Sequence, residues 1–546
     1  MTARIPVAAL AALATFAAAA PAQGALRSVG VRASVVLPSA ASAASAGSGT
    51  WIVAGPAGHP RVAALAHAFR ARHVTGGAYV LARSRARSFA AALRARGLLS
   101  YAEPNRRRTV AQNPAQEPVP EPPPPDPLTV VPQAGWRDAV VAGAAAPPVG
   151  PQSPLVALVD SQLDVTQPDV VGSNVTTTGG RPLVDFHGTA TATIAAAPQN
   201  GVGIIGVWPG ARALNLPLPS EIGCADSARQ IDAAVRVSAA VINMSYGSSA
   251  ACRSEYEAIQ RAVARGIVPV AAAGNEFGQG NPAEFPASLP HVLTVAAVGS
   301  DDAATFFSNQ NAAVDLSAPG EDILAGVPVT FDPDGNPDGY ALVSGTSFSA
   351  PMVSAAVAWI RTARPDLTAD QAAQVVRLGA RDVGKAGWDS ATGFGVLNLP
   401  GALAHAAPIP DPLEPNDDIE FVNGRVLGRR AVPVSRGVGT TTLDGLLDRY
   451  EDPADVYRIR IPPRATVQIR ARPRFGDPDL YVFTPAATSV MRSRGLVAQS
   501  RRRGRRTEGV LVTNPTGRTV TRFVALGIDG GVRSLDSRYT LRIRRR

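Results

Sequence analysis

Three patterns of apolar spacing succeed one another along the chain. Between residues 51 and 108, Ala78-Tyr79-Val80-Leu81 reads as a strand, Ser84 to Arg96 carries apolar residues at helical spacing up to Gly97, and Leu98–Ala102 returns as a strand. From about 133 to 407, short apolar runs (Leu155–Val159, Val241–Met244, Val268–Ala271, Leu293–Val298) alternate with stretches of helical spacing such as Thr189–Ala197. Strands that are apolar on both faces and separated by helices predict an α/β unit, a parallel sheet covered by helices on both sides. After Pro408–Pro415 the period drops to two, in Val456–Ile461, Thr466–Arg470 and Tyr539–Ile543. Alternating strands punctuated by turn residues predict a small all-β domain.

The ends and joints follow from composition. Arg4, the apolar run 5–20 and the small-x-small site Ala20-Pro21-Ala22 predict a signal peptide over 1–22. No other run is long enough to span a membrane, so a secreted, extracellular protein with no membrane span is expected. The stretch around Pro122-Pro123-Pro124-Pro125 predicts an extended linker. The expected boundaries are a leader over 23–112 with its folded part at 51–108, a Pro-rich linker at 113–132, the α/β domain at 133–407 and the β domain at 408–546. Residues 1–132 hold fourteen Arg against four acidic residues, residues 133–410 are net acidic by eleven, and residues 411–546 are net basic by eleven. An acidic middle between basic flanks predicts parts that attract one another. The run Arg501-Arg502-Arg503-Gly504-Arg505-Arg506 lacks the aromatic platforms of a nucleic-acid binder and reads as a solvated loop, so no nucleic-acid partner is expected. The two cysteines, Cys224 and Cys252, predict a disulfide in an exported protein, with two free buried thiols as the alternative.

Three polar residues stand where chemistry is placed in such folds. Asp160 ends an apolar strand, at the sheet edge where ligands gather. His187 opens a helical stretch in His187-Gly188-Thr189-Ala190, and Ser347 opens another in Gly345-Thr346-Ser347-Phe348-Ser349-Ala350-Pro351. Singly, each has a plainer reading as a helix cap or a satisfied core residue. Together, in the order Asp, His, Ser, they resemble the subtilases. Val159-Asp160-Ser161, His187-Gly188-Thr189 and Gly345-Thr346-Ser347 with Pro351 are similar to that family's three boxes. Val241-Ile242-Asn243-Met244-Ser245-Tyr246-Gly247 resembles its substrate-pairing strand, and Ala272-Ala273-Gly274-Asn275 its oxyanion segment.

The resemblance implies a serine endopeptidase acting on protein or peptide substrates with no catalytic cofactor. Ser347 would be the nucleophile, His187 the general base, Asp160 its orienting partner, and the Asn275 side chain with the Ser347 amide the oxyanion donors. Ser245, Tyr246, Gly247 and Gly274 would line the substrate groove. Glu284, before Phe285-Pro286, would either sit at the base of the pocket for the residue preceding the cleaved bond and select Lys or Arg, or turn to solvent. Asp169 and Asn200 match positions that hold structural calcium in some members, whereas Asp332–Asp338 reads as an acidic surface turn. Gln162, Gln167, Ala190 and Met352 depart from the usual residues without removing a catalytic group, and Gln162 is expected to perturb its turn. Residues 51–108 resemble the inhibitory propeptide of the family, so the chain's own leader is an expected intramolecular partner. Leu413-Glu414-Pro415-Asn416-Asp417-Asp418, Asp452–Tyr457 and Gly476–Tyr481 resemble the pre-peptidase C-terminal domain, a β-sandwich. A monomer is expected. The alternative is a catalytically silent peptide- or surface-binding protein on the same scaffold.

Overall fold

A computed structural model describes residues 49–110, 135–411, 413–448, 450–528 and 537–546. The expected signal peptide, the start of the leader and the Pro-rich linker lie outside the described residues. The central sheet has seven strands, all parallel, in the order Leu316–Pro319, Leu293–Val298, Val268–Ala272, Val241–Met244, Val156–Asp160, Ala213–Pro217, Val175–Thr177. Along Val156–Asp160 alternate side chains enter different cores, as the two-residue period of a strand requires. Val156 and Leu158 pack with helices His187–Ala196 and Thr346–Ala363, whereas Ala157 and Val159 pack with Cys224–Arg236 and Arg253–Val263. Both faces are therefore covered, which explains why these strands are mostly apolar on both sides. Cys224 and Cys252 form a disulfide that ties the starts of the second helix pair. Among the described residues no helix is long and apolar enough to cross a membrane.

The leader folds as a four-stranded antiparallel sheet, in the order Arg72–Thr75, Ala78–Ala82, Thr50–Ala54, Tyr101–Pro104, backed by helices Pro60–Ala68 and Arg83–Arg94. Its last strand starts at Tyr101 rather than at the expected Leu98. Gly97 adopts φ +66°, and the Leu98 amide turns back to the Leu93 carbonyl at 2.9 Å, so the helix cap consumes those residues. Ile52, Val74 and Val80 of the sheet share a core with helices Cys224–Arg236 and Arg253–Val263. Polar caps reinforce this contact. Glu103 accepts from the Arg253 and Ser254 amides at 2.8 and 3.0 Å, and Asn105 accepts from the Ala225 amide at 3.0 Å.

The C-terminal unit has two four-stranded antiparallel sheets. One runs Thr440–Leu447, Ser537–Arg545, Thr466–Phe475, Glu508–Thr513; the other runs Ala454–Ile461, Val520–Ile528, Pro478–Phe483, Leu496–Ser500. Ile459, Val482 and Val524 of one meet Val467, Leu541 and Ile543 of the other in a single core, making a sandwich. Ion pairs dock it on the α/β unit: His291 Nε2 lies 3.1 Å from Asp417, and Arg253 pairs with Glu420. It also touches the leader, where Arg425 donates to the Leu99 carbonyl at 3.1 Å.

Candidate active site

Asp160, His187 and Ser347 converge at the carboxyl end of the central sheet, and all three are buried. His187 Nδ1 lies 2.6 Å from Asp160 Oδ1. The carboxylate is held from elsewhere as well, by the Ser161 amide at 2.7 Å and the Thr191 hydroxyl at 3.0 Å. Gly188 is required here, because a Cβ on it would lie 2.2 Å from the Ser161 carbonyl oxygen. That close approach seats the start of the histidine helix on the aspartate strand. Burial works against a charged imidazole, and the charges of Asp160 and then Asp185 outweigh it, leaving the His187 pKa above its ordinary value.

Ser347 is the second residue of helix Thr346–Ala363, entered through Gly345 at φ +149°, a conformation that favours glycine. Pro351 lies inside this helix and cannot donate to the Ser347 carbonyl four residues back. The Ser245 hydroxyl takes that role at 2.8 Å, while Ser347 Oγ donates to the Ser245 carbonyl at 3.0 Å. Two reciprocal bonds thus tie the helix start to the end of strand Val241–Met244. Among the described residues His187 Nε2 is buried without a hydrogen-bond partner, and the Ser347 hydroxyl is bonded to Ser245 instead. Asn275 Oδ1 accepts from the Thr346 amide and hydroxyl at 3.0 and 2.9 Å, which fixes its amide beside the start of the serine helix.

Leader residues Arg107–Val110 form the middle strand of a three-stranded antiparallel sheet, with Tyr246–Gly247 on one side and Ile222–Gly223 on the other. Glu284 is buried and faces a pocket lined by Thr109, Gly247, Ala272, Gly274 and Glu276, so it does not turn to solvent. Burial first, and then the Glu276 charge, push its carboxyl up to about 8, against a smaller pull from Arg108.

The expected calcium donors stand apart in their bonding. Buried Asp169 accepts from the Ile204 amide at 3.1 Å, whereas exposed Asn200 accepts from the Val202 amide at 3.1 Å, closing its own turn. The loop Asp332–Asp338 closes on itself through amides of Gly339 and Tyr340. A denser oxygen cluster lies in the C-terminal unit. Asp411, Glu414, Asp452 and Asp455 bring ligand atoms within 4.8 Å of one another, and among the described residues one carboxylate oxygen each of Asp411, Asp452 and Asp455 is buried without a partner. The sequence had drawn attention to three of these four residues, but not as metal ligands. Gln162, expected to perturb its turn, instead packs inward and donates to the Leu163 carbonyl and the Thr177 hydroxyl at 3.1 and 3.2 Å. Ala190 and Met352 are core residues.

Residues 152–395 match the family model described as the subtilase family. A probable subtilase-type serine protease of Deinococcus radiodurans is 34% identical over 230 residues, 39% of this chain and 31% of that protein. Fervidolysin of Fervidobacterium pennivorans is 31% identical over 289 residues, 46% of this chain and 41% of that protein. The minor extracellular protease Epr of Bacillus subtilis is 30% identical over 214 residues, 39% of this chain and 32% of that protein. The matched segment spans less than half the length of these relatives. The crystal structure of fervidolysin, described as a keratinolytic enzyme related to subtilisin, has a TM-score of 0.56 at 18% identity. The similarity covers 90% of this chain and 94% of that one, so the two share a fold.

Proposed function

Because residues 152–395 form a domain of the subtilase family, we propose that this protein is a secreted serine endopeptidase made as a self-inhibited precursor. The observation that carries the reading is the buried Asp160–His187 pair at 2.6 Å beside a serine at a helix start. In this reading Ser347 Oγ attacks the scissile carbonyl and His187 Nε2 takes its proton, then passes it to the leaving amine. Asp160 holds the tautomer and stabilises the imidazolium. The Asn275 side chain and the Ser347 amide receive the oxyanion, and losing one such donor typically costs about 10²–10³ in rate. Arg107–Val110 lies where a substrate backbone would pair with Tyr246–Gly247, so the leader blocks the groove until it is removed.

The test is cleavage of an unstructured protein by the leader-free enzyme, followed across pH. His187 must be neutral to act as a base, and its pKa is raised, so kcat/KM should fall on acidification along a limb centred above 6.5. No cleavage at any pH, or a limb unchanged in His187→Gln, would sink the reading.

Two features refine it. The carboxylates of Glu284 and Glu276 in one pocket support a preference for Lys or Arg before the scissile bond. Glu284 gains its charge as pH rises through about 8. The kcat/KM ratio for Arg over Phe peptides should therefore climb between about pH 6 and 9 and flatten in Glu284→Gln. Equal rates at all pH values would remove the preference.

The cluster of Asp411, Glu414, Asp452 and Asp455 fits a hard cation such as Ca²⁺, which takes six to eight oxygens. Burial, and then the neighbouring carboxylates, raise the pKa of Asp411 to about 9 and of Asp455 to about 6. Acids with raised folded pKa values hold more protons folded than unfolded, so without metal this unit loses stability as pH rises from about 4 to 9. A bound cation offsets the repulsion. The Tm difference between calcium and chelator should widen with rising pH, and no difference at pH 8 would count against the site.

A further inference from the structure

Three consecutive arginines, Arg106 to Arg108, lead into the leader strand, and the two within it are held differently. Arg107 makes an exposed pair with Glu221 at 3.3 Å, of the kind that contributes little. Arg108 is buried, its guanidinium entering a pocket between the starts of helices Cys224–Arg236 and Arg253–Val263. Its Nε and Nη2 lie 3.3 and 2.6 Å from the two oxygens of Glu255, a forked pairing. Its Nη1 donates to Ser248 Oγ at 2.5 Å and to the Ala250 carbonyl at 3.0 Å. Glu255 is fully buried, and its remaining oriented donor among the described residues is Ser227 at 2.5 Å, itself bonded to the Tyr246 hydroxyl at 2.7 Å. The Cys224–Cys252 disulfide joins the two helix starts that form the walls.

The side chains and the Ala250 carbonyl that bind the guanidinium from outside its own strand, Glu255, Ser248 and Ala250, all belong to the protease unit. When Arg107–Val110 leaves, the Glu255 carboxylate loses its forked cationic partner and keeps only the Ser227 hydroxyl among the described residues. We infer that the pocket around Glu255 is a substrate subsite that selects arginine at the fourth position before the scissile bond. The register sets the position: Thr109 lies opposite Gly247 and Val110 opposite Tyr246, so a peptide in the same ladder places its next residue opposite Ser245. Ser347 Oγ donates to the Ser245 carbonyl, so that residue presents its own carbonyl to the serine. Arginine is then three residues earlier. Lysine is a poorer fit, because a single ammonium cannot span both Glu255 oxygens together with Ser248 and Ala250. The inference rests on the reading of Tyr246–Gly247 as the strand that pairs with substrate.

The test is a peptide series on the leader-free protein, identical except for Arg, citrulline, Lys or Ala at that fourth position. Arg should exceed citrulline and Ala by about 10² in kcat/KM, the loss typical of truncating one partner of a buried ion pair. Moving the arginine one residue either way should erase the advantage. Glu255→Gln should bring the four peptides within about threefold of one another, and Ser248→Ala should reduce the advantage without removing it. Equal rates for the four peptides, or an arginine advantage that survives Glu255→Gln, would overturn the subsite. Binding of the same peptides to the leader-free Ser347→Ala protein separates this failure from that of the endopeptidase reading. Tighter binding of the Arg peptide upholds the subsite even without hydrolysis, and equal binding overturns it.

Discussion

Ser347→Ala is expected to lower kcat by about 10⁶ while leaving the fold intact. The two halves of that expectation have separate causes. Among the described residues the Ser347 hydroxyl makes one hydrogen bond, to the Ser245 carbonyl at 3.0 Å, so its loss costs about 1 kcal/mol or less. The bond that fixes the helix start runs the other way, from Ser245 Oγ to the Ser347 carbonyl, and survives the substitution. Thermal melts should shift by only a few degrees. Catalysis through an acyl-enzyme needs the oxygen itself, and the residual rate would come from the oxyanion donors and substrate binding. The variant chain should also keep its leader attached where the parent removes it. A rate within tenfold of the parent would exclude Ser347 as nucleophile.

Asp160→Asn should lower kcat by about 10⁴. Asp160 accepts from three sides, from the His187 ring, the Ser161 amide and the Thr191 hydroxyl. An amide keeps the volume but offers only one acceptor oxygen, so the ring loses the partner that holds its proton on Nδ1. The sign of the pH effect discriminates further. Asp160 is the main group raising the His187 pKa against burial. Removing its charge should move the acid limb of kcat/KM to lower pH, leaving a slower enzyme that tolerates acid better. A loss below tenfold, or a limb moved upwards, would contradict the role given to Asp160.

The parallel sheet was legible because it is buried on both faces: Val156–Val159 reads as an apolar run and Leu293–Val298 as one interrupted by Thr294 alone. Strand Val175–Thr177, at the sheet edge, is short and partly polar, and gave no such signal. The three candidate site residues stood out through their order and their places at a strand end and two helix starts, and the structure brings Asp160 and His187 within 2.6 Å. The arginine pocket was not legible. Glu255 and Ser227 each sit in the first turn of an amphipathic helix, where a polar residue reads as a solvated cap, and Arg108 sits in a run of arginines that reads as a charged surface. Only the crossing of the leader strand between two helix starts, 147 residues apart in sequence for Arg108 and Glu255, gives those residues a common purpose. The charge asymmetry along the chain pointed to attraction between leader and enzyme. The contact itself combines apolar burial, helix caps and the buried Arg108–Glu255 pair.

Reaction with a serine-directed fluorophosphonate, read by mass spectrometry of the digested protein, tests the central claim most directly. The leader-free enzyme should carry a single adduct on the peptide containing Ser347, lost in Ser347→Ala and strongly slowed in His187→Gln. An adduct on another residue, or none in the parent protein, would contradict the account.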